Sequence, residues 1–389
     1  MSNDFDLTHP ALSDLRRTAR RRIPQFAFEY LDSGTGRELG VARNRAALDD
    51  ILFMPQVLHG LITPDLTRDF MGQTFDLPVG ISPVGMSGMI WPGAEVTLAK
   101  AARTANIPYC QSTVAAAAPE DVADHIGGNG WFQHYPVNTP EIRRDMLKRI
   151  KDAGFKKLIM TVDVPGESRR ERQRRAHVAM PPKMTAKVAW QVATHPRWAL
   201  EMARVGAPRM PFPESYVEAS GRDAFVHAGR VIRGWPDWQY LQALRDEWDG
   251  DLVVKGVLRA EDATGMVAMG VDAIWVSNHA GRQFEAGPAA IDQLPLIRAA
   301  VGPDMPLIYD SGVEGGLDIL RAIARGADMV FLGKAFHFAL AALGAPGVDH
   351  LLHILRADIV ANMSQIGATR FDDLAARLHF TSRQSRPVG

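Results

Sequence analysis

The chain has 389 residues, 46% of them hydrophobic and 23% charged, the balance of a soluble globular protein and not of a disordered or fibrous one. Its 44 Lys and Arg offset its 44 Asp and Glu, so no overall field draws it to nucleic acid, and partners must be recognised locally. The single cysteine, Cys110, excludes an internal disulfide and a cysteine-rich metal site and fits a reducing compartment; no metal is expected.

The N-terminal MSNDFDLTHP has neither the basic nor the apolar region of a signal peptide, and no apolar run reaches the roughly 18 residues of a membrane span, so the chain reads as cytoplasmic. Residues 1–70 predict a helical N-terminal extension. Then one grammar recurs in KAARTANIPYCQST, DMLKRIKDAGFKKLIMTVD, TGMVAMGVDAIWVSN and ILRAIARGADMVFLGK: an amphipathic helix, a stop at Asn106, Gly154, Gly270 or Gly326, and a short apolar strand. Further strand runs stand at 77–84, 131–135, 252–256 and 306–312. Eight apolar strands separated by helical segments point to an α/β fold, a (β/α)8 TIM barrel over 77–340, with a doubly wound open sheet as the alternative.

Nearly every strand ends in polar residues, and a barrel collects all those ends in one mouth. An insertion of about 169–238 follows strand 4, and 341–389 predicts C-terminal helices, the whole forming a single domain. From Arg169 to Arg209 the insertion carries ten Lys or Arg against two Glu, with Trp190 and Trp198 in a helical pattern. It reads as a solvated lid over the mouth; peripheral contact with the inner face of a membrane is the second reading.

The stretch IWVSNHAGRQF runs from a buried strand into His279 and Arg282. A histidine at a barrel strand end sits where reacting groups belong, and the planar fork of Arg282 suits a carboxylate. Asp163 closes strand 4 and is placed to face His279, although turn capping would also account for it. Lys255 ends strand 5 after an apolar run, so it needs an anionic partner or serves as an imine-forming amine. Tyr135 and Tyr30 are either site residues or packing. The glycines of DSGVEGG and GADMVFLGK fall on the strand 7 and 8 loops, where backbone amides wrap phosphate in many barrels.

Six blocks, FEYLDSG, WFQHY, TVDVPGESRRE, LVVKG, VSNHAGRQ and YDSGVEGGLD, resemble the FMN-dependent α-hydroxy acid dehydrogenase and oxidase family, over about residues 6–380. The insertion is most similar to the bacterial L-lactate dehydrogenase branch. The resemblance implies oxidation of a lactate-like L-2-hydroxy acid to the 2-oxo acid, with FMN as cofactor and a quinone, cytochrome or oxygen as electron acceptor, in a homotetramer. It assigns His279 as base paired with Asp163, Arg282 and Arg170 to the substrate carboxylate, Tyr30 and Tyr135 to carboxylate and hydroxyl, and Lys255 to the flavin N1 and C2 carbonyl. Ser112, Gln133, Thr161 and Ser277 would bind the ring and ribityl chain, and the backbone of Pro83, Val84 and Gly85 would approach the ring. Asp310, Ser311, Gly312, Gly333 and Lys334 would hold the ribityl and phosphate groups.

Three departures carry physical consequences. Ala280 replaces a family glycine, which a negative φ would accommodate. Glu314 and Lys334 stand where relatives carry arginines, so Glu314 is expected to point away from the phosphate, toward Arg321, Arg325 or solvent, with backbone amides of Gly312, Gly333 and Lys334 doing the binding. Val114 stands where some oxidases carry an aromatic over the substrate. Two rival readings are a Schiff-base aldolase using Lys255 and a flavin-binding protein without catalysis.

Overall fold

Each of the four helix-to-strand junctions carries a residue in the left-handed region: Asn106 at φ 48°, Gly154 at 90°, Gly270 at 78° and Gly326 at 110°. There the helix stops and the next strand begins. In the computed structural model, which describes residues 4–166, 168–178, 184–217, 228–232 and 234–379, eight strands result: β1 (Val79–Ile81), β2 (Tyr109–Ser112), β3 (Gly130–His134), β4 (Lys157–Thr161), β5 (Asp251–Val257), β6 (Ala273–Val276), β7 (Leu307–Tyr309) and β8 (Met329–Leu332). All neighbours are parallel, and β8 pairs with β1 to close the barrel, so the open sheet is excluded. β1 and β7 are shorter than their apolar runs because the chain leaves the ladder as it enters the mouth. Of the expected insertion, 179–183, 218–227 and 233 lie outside the described residues, as do 380–389 of the expected C-terminal region.

Large side chains fill the barrel interior. Trp275 and Trp131 lie 4.4 and 5.0 Å from Phe331, ring centre to ring centre. An antiparallel pair, Arg68–Phe70 with Gln73–Phe75, adds Phe70 and Phe75 to this cluster and closes the N-terminal end of the strands, where Lys157 donates to Met71 O at 3.2 Å. Alternation over three residues is too short to have marked this hairpin in the sequence. Leu52–Phe53 pairs with Leu378–His379, a second small sheet joining the N-terminal extension to the C-terminal segment.

The helix Lys334–Leu343, which follows β8, packs on the N-terminal helix Leu12–Arg22, whose Leu15 and Ala19 are buried. That contact brings the helices Gln25–Asp32 and Leu39–Asp49 to the mouth of the barrel. The insertion contributes the helices Glu171–Arg175, Ala186–Ala193 and Pro196–Val205. Its two tryptophans part company: Trp198 is buried and donates to Ile90 O at 3.2 Å, whereas Trp190 is 69% exposed. Among the described residues no helix is long and apolar enough to cross a membrane.

Candidate active site

A cavity of about 520 Å³ opens at the C-terminal strand ends. The loop after β1 lines it with Ser82, Pro83, Val84 and Gly85; β2 to β4 add Ser112, Val114, Gln133, Tyr135 and Thr161; β5 and β6 add Lys255, His279 and Arg282; β7 and β8 add Asp310, Ser311, Gly312, Gly333 and Lys334. Arg170 and Tyr30 complete the set from the insertion and the N-terminal extension. Residues dispersed over some 300 positions therefore share one concave surface, of a volume usual for cofactor sites.

His279 is oriented by Asp163, whose carboxylate oxygens lie 3.1 and 3.3 Å from Nδ1. With a proton on Nδ1, Nε2 carries the free lone pair of a base. Asp163 itself is absent from the cavity lining and acts from behind the imidazole. Burial pushes its pKa up, but His279 and Lys255 outweigh burial and hold it below the usual carboxylate range. Burial pulls the His279 pKa below 6.5, and Asp163 only partly opposes this, so the ring stays neutral to lower pH than a free histidine. The acid limb of kcat/KM is therefore expected below pH 6.5, activity falling only as the pH drops through the lowered pKa; a pH–rate profile with its limb above the ordinary histidine value would contradict this assignment.

Lys255 is 4% exposed, with Nζ 2.9 Å from Ser277 Oγ and 3.0 Å from Asp310. A bulge at Gly256 (φ 102°) shapes this strand end, and a Cβ there would lie 2.6 Å from the Asp163 side chain, so only glycine lets the two strands approach. Burial alone would lower the Lys255 pKa; Asp310 and Asp163 outweigh it and hold the group above the ordinary lysine value. A fixed ammonium suits charge stabilisation and disfavours imine formation, which starts from the neutral amine. Ser277 does not line the cavity. Its buried hydroxyl bridges Lys255 and Asp310, donating to Asp310 Oδ1 at 2.5 Å.

Arg282 donates from Nη1 to Leu31 O at 2.8 Å and Ser33 O at 3.0 Å, and from Nη2 to Tyr30 O at 2.8 Å. These are carbonyls at the C-terminal end of the helix Gln25–Asp32, where a cation also opposes the helix dipole. Burial, with Arg170 beside it, pulls the guanidinium to about 9, still cationic at neutral pH. Tyr30 donates to Gly85 O at 2.9 Å, and burial holds the Tyr135 hydroxyl above its usual range, keeping it a proton donor.

The backbone expectation at Ala280 fails. Ala280 sits at φ +55°, not at a negative φ, directly after His279 at the same value. A methyl in the left-handed region costs about 1–2 kcal/mol, against about 0.5–1 kcal/mol of chain entropy for glycine. Ala280→Gly is thus expected to raise the thermal midpoint of the protein, a gain of about 0.5–1 kcal/mol; a lowered midpoint would mean that the methyl packs favourably. Lys334 lines the cavity; its side chain donates to Asp32 O at 2.7 Å, and burial, reinforced by Arg282, lowers its pKa to about 8.

Glu314 is exposed at the edge of the cavity it helps to line, and Arg321 is taken by Asp318 and Asp49, at 2.8 and 3.4 Å. Glu314→Arg is therefore expected to change FMN affinity by less than about 1 kcal/mol, the scale of an exposed charge; titration of the apoprotein with FMN measures it, and a tenfold gain, about 1.4 kcal/mol, would place the glutamate against the phosphate.

Sequence reasoning missed the contribution of the N-terminal helices. Arg45 donates to Gly312 O at 3.1 Å and pairs with Asp318 at 2.5 Å, bracing the loop after β7. Asn44 exchanges amide hydrogen bonds with Asn278 at 2.8 and 2.7 Å, bracing the loop after β6. Arg172, Asp32 and Arg16 also line the cavity. No local pattern announces them.

The cavity wall fits a polar aromatic cofactor. Gln133 Nε2 and Thr161 Oγ1 are buried, line it, and have no hydrogen-bond partner among the described residues, although buried polar atoms are nearly always paired. A barrel mouth with such orphaned polar atoms, a fixed ammonium and an oriented imidazole is the kind of site that holds a redox cofactor beside a small substrate. The FMN-dependent dehydrogenase family model matches residues 19–381. The chain is 36% identical to an L-lactate dehydrogenase of Xanthobacter autotrophicus, over 93% of this chain and 94% of that one. It is 34% identical to an (S)-mandelate dehydrogenase of Pseudomonas putida, over 94% and 92%. Among solved structures, a monotopic membrane protein, (S)-mandelate dehydrogenase, superposes with a TM-score of 0.90 at 34% identity, covering 95% of this chain and 98% of that one. The chain belongs to the FMN-dependent dehydrogenase family, and its cofactor is FMN.

Proposed function

We propose that the protein oxidises a lactate-like L-2-hydroxy acid to the 2-oxo acid, with His279 as the base. The observation that carries this reading is the Asp163–His279 pair at 3.1 Å on a wall shared with Arg170, Arg282, Tyr30 and Tyr135. FMN, when bound, accepts the two electrons that leave the substrate carbon. Gln133, Thr161, Ser112 and the backbone of 83–85 would hold its ring, and Asp310, Ser311, Gly312 and Gly333 its ribityl and phosphate groups. Arg282 and Arg170 bind the substrate carboxylate, the two tyrosines orient carboxylate and hydroxyl, and His279 Nε2 takes one of the two protons released, the other going with the two electrons to the cofactor. The Lys255 ammonium favours negative charge arriving beside it.

Electrons then pass to a quinone, a cytochrome or oxygen. The exposed Trp190, Leu200 and Val205 on the basic helices of the insertion support peripheral membrane contact, and a homotetramer is the proposed assembly. Stopped-flow bleaching of the flavin across lactate, glycolate, mandelate and longer hydroxy acids identifies the substrate; bleaching by none of them would overturn the reading.

A further inference from the structure

One wall of the cavity joins two stretches distant in sequence. In the first, residues 29–38, the helix Gln25–Asp32 ends and presents Tyr30 and the carbonyls that Arg282 holds. In the second, Arg170 occupies a left-handed conformation at φ 44° immediately before the helix Glu171–Arg175. A non-glycine residue there costs energy and persists only where its surroundings over-determine it.

Three consecutive side chains after Arg170 supply those surroundings. Glu171 accepts from Gly36 N at 2.8 Å, and Gln173 Nε2 donates to Ser33 Oγ at 3.0 Å and Tyr30 O at 3.2 Å. Between them Arg172 reaches Asp32 at 2.8 Å and Glu38 at 3.0 Å, and also pairs with Glu29. Glu29 and Asp32 are 7% and 6% exposed, so these are not solvated surface charges. Arg16 pairs with Asp32 from the far side at 2.7 Å, and no other cation is paired with Glu29 or Glu38 among the described residues. Without Arg172 the carboxylates repel one another across the seam that joins the two stretches.

We propose that Arg172 is a positioning residue for the substrate carboxylate: by drawing Glu29, Asp32 and Glu38 to one guanidinium, it locks the 168–175 segment, and Arg170 with it, against the helix end that carries Tyr30 and receives Arg282. The inference rests on the reading that Arg170, Arg282 and Tyr30 grip the carboxylate. Its guanidinium is taken up by the three carboxylates, so it acts through Arg170 and Tyr30 and not on the substrate directly.

The FMN-loaded Arg172→Met and Arg172→Lys variants test it. Arg172→Met is expected to raise KM for the hydroxy acid by about 10- to 100-fold, the scale of a misplaced binding group, with kcat much less affected and FMN retained. Arg172→Lys restores part of the affinity, since it keeps the charge and loses the fork. An unchanged KM in a folded, FMN-loaded Arg172→Met protein, or a loss of kcat alone, overturns the proposal. Should that variant not fold, Glu38→Gln, which removes the most exposed of the three partners, decides by the same KM-against-kcat split. If the unmodified protein is bleached by no 2-hydroxy acid, the functional reading fails instead. Amide hydrogen exchange over 168–178 then decides the lock, being faster in Arg172→Met if the proposal holds and unchanged if it does not.

Discussion

In a His279→Gln variant, flavin reduction by an L-2-hydroxy acid is expected to slow by about 10²- to 10⁴-fold, the usual contribution of a positioned general base. Glutamine keeps the approximate reach of the imidazole and a donor for Asp163, but it takes up no proton at neutral pH. The buried ion pair of Lys255 with Asp310, at 3.0 Å, is untouched, so the FMN-holding wall survives and the protein stays yellow. Anaerobic stopped-flow absorbance measures the rate. Reduction as fast as in the unmodified protein would remove His279 from the proposed role, whereas loss of FMN would show that the imidazole is structural.

Arg282→Met is expected to act on two properties at once. Its guanidinium is the proposed carboxylate clamp, and it also satisfies the carbonyls of Tyr30, Leu31 and Ser33. Truncating one partner of a buried charged contact costs about 2–5 kcal/mol, so KM should rise by about 30-fold or more. The three carbonyls lose a charged donor near the helix end, and each group left unsatisfied costs about 1–3 kcal/mol, so the thermal midpoint should fall as well. Steady-state kinetics and thermal denaturation of the same preparation separate the effects. A variant that loses stability but keeps its KM would make Arg282 a helix cap only. Arg282→Lys should recover little of either, because an ammonium lacks the fork that spans three acceptors.

The barrel was legible because its signals are local and repeated: four helix stops, at Asn106, Gly154, Gly270 and Gly326, do adopt the left-handed conformation their residue types favour. The mouth was legible for a similar reason, since polar residues closing apolar strands have nowhere else to go. What escaped is tertiary. SRRERQRR reads as a solvated basic run, yet Arg172 within it holds carboxylates 134 to 140 positions away. The direction of the Lys334 side chain is decided by the carbonyl of Asp32, in a helix that no pattern places there. Ser277 links Lys255 to Asp310, 22 and 33 positions away, a pairing its neighbours in sequence do not announce. The sign of φ at Ala280 follows from the turn that swings His279 toward Asp163, and that turn is invisible in residue identities alone.

The central claim is tested most directly by a single anaerobic turnover. The purified yellow protein is mixed with an excess of an L-2-hydroxy acid without electron acceptor, and the flavin absorbance and the 2-oxo acid are quantified together. The account predicts complete bleaching with one 2-oxo acid formed per flavin. An oxidised flavin that persists with every acid of the lactate, glycolate and mandelate series, or bleaching without 2-oxo acid, would contradict it.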